Sequence, residues 1–144
     1  MTDTDQQALT DALSAEYAAV YAYGVIAAYA NHDRDRLVAE YTAAHRARRD
    51  ATIDALKNLG APIPAPDAAY TTPFAVDDPI PAAKLAVTVE SDTAVAWHSL
   101  AERADSPALR RTAVEALTEC ALRLATWQSI LGTNPATIAF PGKA

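Results

Sequence analysis

A chain of 144 residues, 51% hydrophobic and 21% charged, has room for one domain with one core and is too apolar to be a disordered segment. Its formal net charge of −6, with no basic stripe along any segment, argues against a nucleic-acid partner. The single cysteine, Cys120, excludes an internal disulfide, and the longest apolar run, Ala18 to Ala30, is too short and too polar to cross a bilayer.

The start of the chain is acidic and no signal-peptide pattern follows it, so a cytoplasmic address and no membrane partner are expected. Residues 5–32 carry Leu9, Leu13, Glu16, Val20, Tyr23 and Ala27 at alternating spacings of four and three, the stripe of an amphipathic helix. Thr4 and Gln7 predict a capping box at its start. Asn31-His32-Asp33 predicts a tight reversal at its end. Residues 34–59 form the second helix, with the stripe Val38, Tyr41, His45, Arg48 or Arg49, Thr52, Leu56 and Leu59; Gly60 followed by Pro62 stops it. Residues 79–104 form the third, with Asp78 as N-cap, Pro79 as first helical residue and the stripe Ile80, Ala83, Val87, Glu90, Ala94, Trp97, Ala101 and Ala104. Residues 106–131 form the fourth, opened by Ser106-Pro107 and closed by Gly132, with Ala113, Leu117, Cys120, Leu124, Trp127 and Leu131 on its apolar face. Residues 132–144 are a tail.

Each helix has about 25 residues and so a length of about 38 Å. The first and second, and the third and fourth, are joined too tightly for anything but antiparallel hairpins. Residues 60–78 are different: Pro62, Pro64, Pro66 and Pro73 interrupt them and they show no helical period. A proline-rich stretch extends about 3.1 Å per residue, which lets this segment reach about 60 Å, more than a helix length. It can therefore climb the bundle and start the third helix at the far end. The expected architecture is all-α: a ferritin-like four-helix bundle of two antiparallel hairpins joined by a long Pro-rich crossover loop, with residues 1–144 as one domain.

Three ionisable residues fall in the middle of apolar stripes: Glu16, His45 and Glu90. A lone buried carboxylate costs several kcal/mol and needs a partner or a proton. All three lie near mid-helix, so antiparallel packing brings them to one level. Arg48 and Arg49 straddle the His45 stripe one turn on, and Arg123 lies at the edge of the fourth helix's apolar face. A guanidinium keeps its charge and grips carboxylates in two places.

Glu16-Tyr17 with Tyr23, the run His45-Arg46-Ala47-Arg48-Arg49-Asp50, Tyr70, Glu90, and Arg123 with Trp127 together resemble the actinobacterial ferritin-like domain family of unassigned function. The resemblance covers almost the whole chain; it implies the fold and supplies no activity. Di-iron members of the wider ferritin-like group place one Glu on each of two helices and Glu-x-x-His on each of the other two. Glu16 and Glu90 match the single glutamates and His45 one histidine. Thr42 stands where the glutamate before His45 belongs, and Leu122 where a histidine after Glu119 belongs. Glu115 and Glu119 both turn away from the apolar face.

Two readings follow. In the first, the centre is a metal-free polar network of Glu16, His45, Arg48, Arg49, Glu90, Arg123 and Tyr23, with no cofactor, in a non-catalytic bundle of unassigned role. In the second, Glu16, His45, Glu90 and Glu119 hold iron or manganese in an oxidoreductase. Tyr41, Trp97 and Trp127 read as packing and Cys120 as an inert buried thiol. The first helix has a second apolar face, Tyr17, Tyr21, Gly24, Val25 and Ala28. A homodimer interface is expected there; the other explanation is cover by Tyr70 and Phe74 of the crossover. No phosphate loop, nucleophile elbow or Cys-x-x-Cys is present.

Overall fold

Helices follow the four apolar stripes in the computed structural model, which describes residues 3–143. Met1, Thr2 and Ala144 lie outside the described residues, Ala144 being the end of the expected tail. α1 spans Asp3–Tyr29, α2 Asp35–Asn58, α3 Pro79–Arg103 and α4 Pro107–Ile130. A short 3₁₀ turn, His32–Arg34, links α1 to α2; the Asn31 side chain caps it by accepting from the Asp33 N–H. α4 starts as its sequence predicts: Ser106 accepts from the Leu109 N–H and Pro107 takes the first helical turn. Gly60 and Gly132 supply the left-handed residues that end α2 and α4, at φ 66° and 75°.

The start of α1 differs from expectation. Thr4 lies inside the helix, which begins at Asp3, so Thr4 and Gln7 form no capping box. Asp5 is fully buried instead. Its carboxylate accepts from the Asp105 N–H at 2.9 Å and so ties α1 to the α3–α4 joint.

Contacts across the bundle fix the helix directions. Glu16 of α1 meets His45 of α2 and Trp97 of α3, and seven residues on, Tyr23 meets Glu90, seven residues back along α3. α1 therefore runs antiparallel to both α2 and α3. α4 reverses on α3, with Arg123 reaching Glu90. The order is up, down, down, up, the bundle of two antiparallel hairpins that the sequence predicts. α1 packs on α2 and α3, and α3 packs on α4. α2 and α4 face each other across a cleft lined by Ala44, Ala47, Ala51, Arg48, Glu119 and Arg123.

The crossover does climb the bundle. It leaves α2 at Leu59, passes Tyr17, whose hydroxyl donates to Pro64 O at 2.9 Å, and lays Tyr70 on Tyr21 with ring centroids 5.2 Å apart. It ends with Pro79 and Ile80 beside Ala30 and Asn31 at the opposite end. Part of the second face of α1, at Tyr17 and Tyr21, is thus covered from within the chain. Phe74 stays 38% exposed.

The apolar core comes in two halves. One gathers Leu9, Leu13, Leu56, Leu100 and Leu109. The other gathers Tyr23, Ile26, Val38, Leu85 and Trp127. Between them lies a polar layer to which every helix contributes. The tail folds back onto the bundle, where Gly142, at φ 75°, sits so close to α3 that a Cβ would lie 2.3 Å from the Ala94 carbonyl oxygen. Only glycine fits both that conformation and that contact.

Candidate functional site: a closed polar centre

Three stripe residues meet as their positions predict. Glu16, His45 and Glu90 are all fully buried. His45 stands between the two carboxylates: Nδ1 lies 2.7 Å from Glu16 Oε2, and Nε2 lies 2.9 Å from Glu90 Oε2. A ring nitrogen facing a carboxylate must donate, and here both do, so the ring is an imidazolium. Burial works against that charge, yet the hydrogen bonds and charges of Glu16 and Glu90 outweigh it and hold the imidazole pKa up at about 9, above the usual 6.5.

Each carboxylate is then completed by a second donor. Trp97 Nε1–H donates to Glu16 Oε1 at 2.9 Å. Arg123 Nε–H donates to Glu90 Oε1 at 2.9 Å, and the Tyr23 hydroxyl donates to Glu90 Oε2 at 2.5 Å. Trp127 Nε1–H in turn donates to the Tyr23 oxygen at 3.1 Å. Burial raises the Glu90 carboxyl pKa, but the His45 hydrogen bond and charge, then the Arg123 charge, bring it below its ordinary value. Tyr23 is held protonated, well above an ordinary phenol, by burial and by the Glu90 charge. Arg123 loses by burial and gains more from Glu90, so its charge is permanent. Two carboxylates, one imidazolium and one guanidinium balance, and no buried side-chain nitrogen or oxygen among the described residues is left without a partner. That is the condition under which buried charge is tolerated.

Two arginines expected in this network lie outside it. Arg48 reaches across the α2–α4 cleft to Glu119 at 2.8 Å, and its guanidinium lies over the Trp97 ring at 5.8 Å. Arg49 pairs with Asp50 at 2.9 Å, toward solvent. Only Arg48 lines the α2–α4 cleft; Arg49 lies on the other flank of α2, beside Tyr17, Tyr21 and the crossover, and each reaches water there more cheaply than the core. Glu119, considered as a ligand, is half-exposed and held by Arg48, and it does not join Glu16, His45 and Glu90.

Sequence reasoning missed the two indoles. Trp97 and Trp127 pack as expected but also supply N–H donors to the centre, and the signal was available: a buried indole N–H needs an acceptor, and a mid-stripe Glu is one. It also missed Cys120 as a neighbour of the site. Arg123 Nη2 approaches its sulfur at 3.4 Å, and burial, with the Glu90 charge, pushes its thiol pKa up to about 12. The thiol is not a nucleophile at neutral pH.

A divalent cation needs lone pairs aimed at it. In this centre both nitrogens of His45 are donors, the oxygens of Glu16 and Glu90 are taken by N–H and O–H groups, and Arg123 sets a fixed positive charge alongside. As arranged, the residues do not fit iron or manganese. Among the described residues, no group of three or more His, Cys, Asp or Glu side chains is placed to hold a metal ion.

Fold and centre together define a four-helix bundle with a closed, charge-balanced polar core. The chain belongs to the family described as a domain of unknown function (DUF4439), which matches residues 8–144. It is similar to the crystal structure of a conserved hypothetical protein, Rv2844, from Mycobacterium tuberculosis, at 37% identity and a TM-score of 0.87, over 90% of this chain and 98% of that one. No curated protein matches the chain. No helix among the described residues is long and apolar enough to cross a membrane.

Proposed function

We propose that this chain is a ferritin-like bundle that works without a metal, a non-catalytic binding module in which an ion-pair network stands where di-iron relatives hold their cations. Its long crossover between two antiparallel hairpins is the ferritin-like connection. One observation carries the reading: both ring nitrogens of His45 face carboxylate oxygens, Glu16 at 2.7 Å and Glu90 at 2.9 Å, an arrangement that calls for a donor at each nitrogen. A histidine ligand must instead be neutral and present a lone pair. Thr42 and Leu122, where di-iron relatives carry ligands, agree with this. To bind an ion, the centre would have to release the His45 proton and displace Arg123 from Glu90.

The test is metal uptake by untagged protein challenged with Fe(II), Mn(II) and Zn(II), read by elemental mass spectrometry. The reading predicts no stoichiometric retention of any of the three. Retention of about one or two equivalents, lost in His45→Ala, would overturn it. The oxidoreductase with Glu16, His45 and Glu90 as ligands to iron or manganese would then take its place.

A further inference from the structure

The crossover does not seal everything it passes over. α1 turns Ala18 and Ala22 toward α3, and α3 turns Thr88 and Asp92 toward α1. Small side chains on one wall leave a furrow. Tyr70 to Pro73 pass along it, leaving a half-open pocket of about 320 Å³ on the outer side of the α1–α3 pair. That volume is at the lower end of small-molecule sites, roughly 300–1,000 Å³. A loop of this length in a small domain calls for a purpose beyond connection, and lining a pocket is one.

The lining has a chemical character. Most of it is apolar: Ala18, Ala22 and the buried Leu85 and Val89. At one side stands the tilted ring pair of Tyr21 and Tyr70, 5.2 Å between centroids. Asp92 stands at the rim. Partial burial raises its pKa, and no neighbouring charge or hydrogen bond contributes to that shift. Among the described residues, no cationic side chain lines the pocket. The polar centre of the bundle, by contrast, is neutral and fully paired, so this is a separate feature. An unopposed carboxylate and two aromatic faces around an apolar pocket suit one ligand class: a compact molecule with an apolar body and an ammonium group. The ammonium would pair with Asp92 and lie near the phenol rings while the body fills the space over Ala18 and Ala22.

The geometry points to a binding site for a small organic amine between α1, α3 and the crossover, with Asp92 as its counter-ion. This assignment stands apart from the metal-free reading of the centre.

Two-dimensional ¹⁵N–¹H NMR titration of the full chain tests it, with 2-phenylethylamine as probe and 2-phenylethanol and 3-phenylpropionate as its neutral and anionic counterparts. The expected result is shifts confined to residues around Ala18, Ala22, Tyr70, Thr88 and Asp92. The amine should bind roughly three- to tenfold tighter than the alcohol, and the acid weakest. Asp92→Asn, on the surface and without effect on helix content by circular dichroism, should bring amine and alcohol to equal affinity. Ala18→Leu should weaken all three by filling space while keeping their order. Absent or scattered shifts, equal affinities in the wild-type chain, or an amine preference that survives Asp92→Asn would each overturn the assignment.

Discussion

His45→Ala would leave two buried carboxylates facing an empty space, with no cation between them. Breaking a buried pair by removing one partner costs about 3–5 kcal/mol, and we expect His45→Ala to lose that much in urea unfolding. Arg48→Ala removes a pair whose Glu119 side chain is 49% exposed, and the expected loss is below about 1 kcal/mol. Equal losses in the two variants would place Arg48 in the network after all. His45 also sets a pH dependence. Its pKa rises from 6.5 unfolded to about 9 folded, so its contribution is full below pH 6.5 and is lost as pH climbs through about 9. The loss is on the order of 3 kcal/mol across that window. Glu90 acts in the opposite sense: its lowered pKa adds stability that is lost as pH falls through the carboxylate range. Unfolding free energy measured against pH should therefore peak on the acid side of neutrality and decline toward pH 9, and the alkaline decline should be absent in His45→Ala. Cys120 is fully buried and its thiol is pushed up to about 12. A thiol-specific chromogenic reagent should leave the native chain unmodified at neutral pH and react with one thiol per chain once urea unfolds it.

At the scale of elements, one position decides how the tail docks. Gly142 combines a positive φ with an approach to the Ala94 carbonyl that excludes a Cβ. Gly142→Ala should cost about 1–3 kcal/mol if the tail stays docked. If the tail lifts instead, limited proteolysis should cut it faster while the bundle keeps its melting temperature. The helices were legible from their stripes, because a period of 3.6 persisted over some 25 residues in each, and the crossover from its prolines. Glu16, His45 and Glu90 were legible because a charge in an apolar stripe is conspicuous. Tyr23 and Arg123, expected in the network, do reach Glu90; the places of Arg48 and Arg49 were not legible, for reasons of geometry. Arg48 and Arg49 flank the stripe equally; the cleft between α2 and α4 draws Arg48 outward on one side, and the space beside α1 and the crossover takes Arg49 on the other. Trp97 and Trp127 carry their donors on side chains that also pack, so reading them as packing alone hides the polar role they take toward Glu16 and Tyr23. The homodimer expected from the two-faced α1 rested on a face that the crossover partly covers, at Tyr17 and Tyr21. The path of an irregular loop cannot be read from periodicity.

Taken whole, the molecule is two apolar half-cores joined by a neutral polar layer drawn from all four helices. Such a layer fixes helix register, because sliding any helix by one turn would strand a buried charge. The central claim is that His45 is a doubly donating imidazolium locked between Glu16 and Glu90. The most direct measurement is long-range ¹⁵N–¹H NMR of the His45 ring near pH 7, repeated after addition of Zn(II). The account predicts two ring N–H protons in slow exchange with water, two nitrogens with protonated shifts, a titration midpoint near 9, and no change with the metal. A neutral ring with one bare nitrogen, or a nitrogen that loses its proton when Zn(II) is added, would contradict it.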